Sequence, residues 1–421
     1  MSKTRIVTCT DHVDAPTGFG RQHNMLCKAL ASNPNYEVIS LGLWDDRPMH
    51  MGDGYLRFPM SDGVKSCTDV LNGRWLEWCR TFKPDVLVTF GDLWMFPAIA
   101  EHDHAFRWMH WLPVDAKPYP HQYDGMIQKM DRLVFMSDFG REVYAQGVDG
   151  RVRTAMIPHG IDPAIFAPVD AARKARLREE WSHRLRFDLT KAGWVLENHD
   201  TNSWRKNTPA LLAALALLPK DTVLILHCTE TPAPGSDGWD LPDVAQTCFG
   251  VRDRIAITGK GPNRCVLPDR EVASLIQLSD LHVSAHQGEG FGVGTIEAMA
   301  CGVPTVITNY TTSQELVGGD GPPRNQGAAI DPENGMLPDS RVPAGLLADV
   351  GAWWIQKESP FIRAIVDPVD FAGKVHQLRD DGALYCACAN EGMERVRKLY
   401  THEIVGKQWL DLMDREIHGR P

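Results

Sequence analysis

Residues 281 to 308 read LHVSAHQGEGFGVGTIEAMACGVPTVIT, and the fold follows from how this stretch changes its pattern. Leu281 to Ala285 has the length and apolar character of a buried strand. His286 to Gly294 is a glycine-rich loop, and Thr295 to Cys301 a short helix. Gly302 and Pro304 stop that helix before a second strand, Thr305 to Thr308. Strand, loop, helix, strand is the unit of a parallel sheet with helical crossovers.

The same rhythm runs outward in both directions. Towards the N-terminus, strands are expected at Ile6 to Thr10, Val38 to Leu41, Asp85 to Phe90, Leu133 to Met136 and Thr154 to Ile157. After Pro168 comes a charged stretch, and the rhythm restarts at Trp194 to Glu197, Val223 to His227 and Ile255 to Thr258. A chain of 421 residues exceeds the roughly 250–300 at which one core stops growing, so two domains are expected. The boundary is placed between about 168 and 190, giving an N-terminal domain of 1–170 and a C-terminal domain of 171–401. A last helix of about 402–421 is expected to pack back on the first domain. Two doubly wound α/β domains would set the carboxyl ends of their strands around a central cleft, where such sheets bind ligands. Residues 231 to 240, rich in Pro, Gly and Asp, read as a mobile surface loop.

Composition removes several classes. With 43% apolar and 23% charged residues the chain is globular in character. The apolar run Ala210 to Leu218 has about half the length needed to cross a bilayer. Strand-like residues begin directly after Arg5, which leaves no room for a secretion leader, and a cytoplasmic location is expected. The ten cysteines lack metal or disulfide spacing, and Cys386 with Cys388 reads as structural. A net charge of -10 disfavours a phosphate polymer as partner, and residues 1 to 170 carry 17 basic against 21 acidic side chains. The basic segment Arg173 to Arg186 reads as a solvated linker helix or, failing that, a peripheral membrane contact.

The loop at 286–294 carries the chemistry. Glycines at 288, 290, 292 and 294 let backbone amides close on an anion, to which the next helix presents its N-terminal N–H groups. A helix end contributes only about 0.3–1 kcal/mol, so side-chain cations must assist. Glu289 in the loop and Glu297 in the helix suit a polyhydroxylated ligand, because one carboxylate accepts from two hydroxyls. Placement in a first helical turn is a sufficient structural reason for Glu297 as well.

The run EGFGVGTIEAMACGVPTVIT resembles glycosyltransferase family 4, retaining enzymes of the GT-B fold whose E-x7-E motif falls on Glu289 and Glu297. TGFGR at 17–21, IPHGIDPAIFAP at 157–168, WRKN at 204–207 and SDLHVSAHQGEGFG at 279–292 extend the resemblance. It implies a retaining glycosyltransferase, with a UDP- or GDP-sugar as the expected donor and no metal or other cofactor in the chemistry. Glu289 would then contact the transferred sugar and Glu297 the ribose hydroxyls. The amides near Gly290, Phe291 and Gly292 would hold sugar and phosphate, and Arg205 and Lys206 would neutralise the departing diphosphate. The chain departs from the family in ENHDTNSW at 197–204, where a Gly-Arg pair is usual, so either Arg205 is its substitute or phosphate binding is weaker than in the family or uses Asn198 or His199 differently.

In the first half, Gly18, Gly20 and Arg21 follow the first strand and are read as donor-binding, although a tight strand-to-helix turn needs the same glycines. WMHWLPVDAKPYP at 108–120 joins His110 and Asp115, candidate catalytic groups, to Trp108, Trp111 and Tyr119, rings able to stack on a sugar. The alternative is an aromatic core around a satisfied histidine. His102, His104 and His110 have a ligand-like spacing, but the interleaved Glu101 and Asp103 suggest an exposed turn, and no metal site is assigned. The acceptor is open between a small molecule, a glycan and a lipid, with modified DNA bases less favoured. A nucleotide-sugar epimerase and a catalytically idle binding subunit are the rival functions on this architecture.

Overall fold

A computed structural model describes residues 3–43, 49–60, 75, 77–148, 150, 152–232, 237–261, 266–318, 342–357 and 359–419. The chain divides into two compact units. One comprises Met1–Gly160 with His402–Pro421, and the other begins at Ile161, ahead of the boundary expected from the sequence, and ends at Thr401.

In the first unit, eight described strands form one sheet: β1 (Thr4–Asp11), β2 (Tyr36–Leu43), β3 (His50–Gly52), β4 (Tyr55–Pro59), β5 (Val86–Phe90), β6 (Arg107–Leu112), β7 (Arg132–Phe135) and β8 (Arg153–Met156). Their order is β3-β4-β2-β1-β5-β6-β7-β8, parallel except for the β3–β4 edge. Ile6 lies between Val38 and Val86 across three central strands, so near-continuous apolar runs are buried on both faces, as a helix-covered parallel sheet requires. Thr17 caps the helix Gly18–Ala31 by accepting from the Gly20 amide. The C-terminal helix His402–His418 lies on that helix, so closely at Gly406 that an added Cβ would stand 2.9 Å from Ala29 Cβ.

In the second unit, β9 (Trp194–Asn198), β10 (Thr222–Thr229), β11 (Ile255–Gly259), β12 (Leu281–Ser284), β13 (Thr305–Thr308) and β14 (Gly345–Ala348) form a parallel sheet in the order β11-β10-β9-β12-β13-β14. A separate antiparallel hairpin follows, β15 (Val350–Ile355) and β16 (Ile362–Val366). Its Trp353 is 52% exposed, while Trp354 turns inward to Trp204, with ring centroids 5.2 Å apart.

Two surface expectations change. The basic segment is the helix Ala171–Leu185, which buries Leu177 and Trp181 rather than standing free as a linker. Three of its cations pair with acids elsewhere in the unit: Lys174 and Arg178 both reach Asp280, at 2.8 and 2.7 Å, and Arg184 reaches Glu271. In the stretch 231–240, residues 233–236 lie outside the described set, and Trp239 exchanges two hydrogen bonds with Asn202. The described cysteines are free thiols, with Cys386 exposed and Cys388 buried. No helix among the described residues is long and apolar enough to cross a membrane.

Glu416, buried in the last helix, pairs with Arg132 and with Arg153, the latter at 2.8 Å. Removing one partner of a buried pair costs about 3–5 kcal/mol. Glu416→Ala is therefore expected to lose about 3 kcal/mol of stability, the exposure of Arg153 keeping it at the lower end. Urea unfolding measures this, and an unchanged midpoint would refute it.

Candidate functional site

The glycine loop leaves β12 and enters the helix Val293–Ala300 through Gly292, whose φ of 98° is a left-handed conformation that favours glycine. Three residues from elsewhere in the second unit fix the loop's start. The Thr311 hydroxyl accepts the Glu289 amide at 3.0 Å and donates to the Tyr310 carbonyl at 2.8 Å. Thr311 itself has φ of 54°, an uncommon backbone state for a β-branched residue and of the kind that clusters at functional sites. Trp354 donates from Nε1 to the Gln287 side chain at 2.9 Å, and the Ala364 amide donates to the Gln287 carbonyl at 3.3 Å, so the hairpin braces the residue preceding Gly288.

Opposite Glu289 stands the one-turn helix Trp204–Lys206, ended by Asn207 at φ 49°. Asn tolerates this left-handed state better than most residues, and the next helix, Thr208–Leu217, starts with a proline in its first turn. This local geometry presents two adjacent cations to one carboxylate oxygen. Lys206 Nζ lies 2.5 Å and Arg205 Nη1 3.0 Å from Glu289 Oε1. Arg205 is also stitched to the loop by its backbone, accepting from the Gln287 amide at 2.7 Å, and by its side chain, donating to the Gly288 carbonyl at 2.6 Å. Lys206 donates to Asp200 at 2.6 Å, and Asp200 accepts in turn from Asn198 and Ser284.

Burial opposes charge on each of these groups, and pairing outweighs it. Asp200 and then Glu289 raise the Lys206 pKa, Lys206 and then Arg205 lower that of Glu289, and Lys206 holds Asp200 far below the usual carboxylate range. Lys206, Glu289 and Asp200 are thus ionised together. Beside it, burial lowers His286 to about 4, leaving a neutral ring in contact with Ser313.

A second buried chain runs behind the helix. Parallel register sets His282 of β12 next to Glu197 of β9, and His282 Nδ1 lies 2.9 Å from Glu197 Oε2. Glu197 Oε1 is 2.5 Å from His199 Nδ1, and His199 Nε2 is 3.0 Å from Glu297 Oε2. Burial alone would discharge His199, but Glu197 and Glu297 push its pKa up to about 10. Burial likewise opposes charge on Glu197, and His199 with His282 brings it down to about 2.

Among the site residues expected from the sequence, Arg205, Lys206, Glu289, Gly290, Phe291, Gly292 and Glu297 all belong to this second-unit region. Phe291 is buried against Tyr400, and its carbonyl accepts from Thr312. Gly18, Gly20, Arg21, His110 and Asp115 belong to the first unit. There Gly20 answers to packing, since a Cβ would stand 2.3 Å from the Ala15 carbonyl oxygen, whereas one at Gly18 meets open space. The expectation of sugar-stacking rings at Trp108, Trp111 and Tyr119 is corrected: all three are buried, and the two indoles donate to Thr89 and to the Ile157 carbonyl. His110 is fully enclosed with them, 2.7 Å from the Thr89 hydroxyl, and burial lowers its pKa to about 3. This is the aromatic core, with the difference that His110 Nε2 has no hydrogen-bond partner among the described residues. Asp115 is half-buried beyond β6. His104 stacks on Phe106, with ring centroids 4.3 Å apart.

Sequence reasoning missed Asp200, Glu197, His282 and Thr311. Glu197 and His282, a buried acid and a histidine in otherwise apolar strand sequences, were the available signal. Glu197, His199 and His282 are the one described group with ligand atoms close enough to suggest a metal ion. Tetrahedral zinc ligands at about 2.0–2.1 Å stand roughly 3.3 Å apart. The contacts of 2.5 and 2.9 Å here are proton-sharing distances instead.

The coupling has a pH signature. His199 is raised from 6.5 to about 10, so its stabilisation is complete below pH 6.5 and is lost as pH rises towards 10. Glu197 is depressed from 4.5 to about 2, so its contribution holds above pH 4.5 and fades towards 2. Urea titrations should show unfolding free energy falling between pH 7 and 10, with a shallower fall in His199→Gln. Equal slopes in the two proteins would refute the assignment.

The family profile described as Glycosyl transferases group 1 matches residues 199–339. A GDP-mannose-dependent alpha-(1-6)-phosphatidylinositol dimannoside mannosyltransferase of Mycobacterium tuberculosis is 24% identical over 207 residues, covering 45% of this chain and 44% of that protein. O-antigen chain mannosyltransferase B of Escherichia coli is 35% identical over 119 residues, covering 28% and 29%. The chain thus spans less than half the length of the curated relatives it matches. Among solved structures, sucrose-phosphate synthase of Thermosynechococcus elongatus superposes with a TM-score of 0.74 at 18% identity, over 99% of this chain and 100% of that one. HepE of Anabaena, in complex with UDP and glucose, gives 0.67 at 14% identity, over 98% and 99%. At such identities the likeness is one of fold. Two parallel α/β sheets give the chain the fold of these GT-B structures, and residues 199–339 match the Glycosyl transferases group 1 profile.

Proposed function

We propose that the chain is a retaining hexosyltransferase that moves a sugar from a UDP- or GDP-linked donor to a hydroxyl acceptor. The observation that carries this reading is the convergence of Lys206 and Arg205 on Glu289 at the glycine turn. In the reaction the bond from the anomeric carbon to the diphosphate breaks, a bond from that carbon to the acceptor oxygen forms on the same face, and the acceptor proton passes to the departing phosphate oxygen. Negative charge grows on that oxygen, and preorganised cations already paid for by the fold stabilise it without rearranging.

Arg205 and Lys206 meet this charge as side-chain cations, so the chemistry proceeds without a metal. Glu289 holds the sugar between its two cationic partners. Glu297 accepts from the ribose, which has to reach a carboxylate only 1% exposed. The GDP-mannose dependence named for the mycobacterial relative, and the UDP and glucose in the HepE complex, support both bases as donors to test. Asp115 stays the first-unit candidate for the acceptor side, and Gly18, Gly20 and Arg21 for donor contacts there; His110, 0% exposed in the aromatic core, has no surface from which to reach an acceptor.

A thermal-shift panel of UDP- and GDP-sugars should identify the donor: ligand at 100 times its Kd adds about 2.7 kcal/mol, or about 2–4 °C for a chain of this size. With that donor, Lys206→Ala should cost about 100- to 1000-fold in the rate of donor turnover, and a chelator should cost nothing. Near-wild-type turnover in Lys206→Ala, or loss of turnover with chelator, would overturn the respective part of the proposal.

A further inference from the structure

We infer that His199, held between Glu197 and Glu297, is a positioning residue that aims Glu297 at the ribose of the donor nucleotide. This rests on the reading of Glu297 given above and adds the residues that make it work. A neutral imidazole carries one N–H, yet both ring nitrogens of His199 face carboxylate oxygens, at 2.5 and 3.0 Å. With both carboxyls ionised, both bonds exist together only if the ring carries both protons. The cation then neutralises Glu297 from behind, and Nε2 fixes the direction of its Oε2. A carboxylate accepts at about four sites, so this bond orients Glu297 without exhausting it.

The surroundings are built for this arrangement. A Cβ on Gly294 would stand 2.7 Å from His199 Nε2, so the glycine opens the helix start to the ring. Glu197 is 0% exposed, and burying a carboxylate is costly unless it is paired. It is paired on both oxygens, with His199 and with His282. This Glu197–His199 couple stands in ENHDTNSW, where the family's Gly-Arg pair is missing. The missing guanidinium is replaced by two functions: Arg205 supplies charge at the loop, and His199 supplies charge at Glu297.

The test compares ribose with deoxyribose, because a merely structural role would weaken both equally. UDP, GDP and their 2′-deoxy counterparts are titrated calorimetrically into the wild-type protein, His199→Gln and Glu197→Gln, with circular dichroism confirming that each variant is folded. The wild type should prefer the ribonucleotide by about 10-fold or more. Both variants should lose most of that preference through weaker binding of the ribonucleotide, with the deoxynucleotide little changed. Glu197→Gln nearly preserves shape and does not contact Glu297, so it serves if His199→Gln is poorly folded. An unchanged preference in a folded variant overturns the inference about His199. A wild type without any preference overturns the reading of Glu297 first, and one that binds neither nucleotide overturns the donor assignment and the inference with it. Stoichiometric zinc in the purified wild type, lost in His199→Gln, would replace the proton by a metal and overturn the inference also.

Discussion

A carboxylate withdrawn from water has to be met by a cation, and around one glycine turn of the second unit this constraint is met twice. Lys206 lies between Asp200 and Glu289, and His199 between Glu197 and Glu297. Each desolvated ion costs several kcal/mol even after relaxation, so neither acidic pair is tolerable without its cation, nor the cation without the pair. That mutual requirement explains why the apolar strand β9 ends in Glu197 and Asn198, and why β12 carries His282 and Ser284. At these strand ends the buried polar groups complete one of the two chains.

The two chains need a backbone that holds still. Asn207 and Thr311, both in left-handed conformations, bracket the site from opposite sides in sequence, one ending the turn that carries the cations and the other gripping the Glu289 amide. Such conformations cost about 1–3 kcal/mol each and persist only where the surroundings over-determine them. The hairpin supplies part of that determination. Tyr310 donates to the Ile362 carbonyl, and Trp354 holds Gln287, so β15–β16 braces Thr311 and the loop at once.

The regular elements were legible in the sequence because each depends on its own residues: all ten of the expected strands are present, and so is the short helix after the glycine loop. The motif was legible for the same reason, since Glu289 and Glu297 share one loop and one helix. What escaped was partnership at a distance. His199 and Glu297 are separated by 98 positions, and no local pattern announces their contact. The aromatic stretch around His110 misled in the opposite sense. Rings that bind a sugar and rings that fill a core have the same composition, and only burial separates them. Likewise the charges of Arg173 to Arg186 read as solvated because Asp280 and Glu271, their partners, lie far along the chain.

The glycines of the loop show how one residue type answers to different demands within a few positions. Gly292 is required by its backbone conformation, at the point where the loop becomes helix. Gly294 adopts no such conformation and is required by its neighbour, the ring of His199. A glycine-rich loop ahead of a helix reads naturally as a cradle for phosphate, and that reading accounts for amides without side chains over them. It does not account for Gly294, whose missing Cβ is filled from within by an imidazole. The motif therefore combines two separate fittings, one turning the loop into the helix at Gly292 and one admitting the His199 ring at Gly294. The second carboxylate of E-x7-E is placed by the strand end at 197–199 as much as by its own helix.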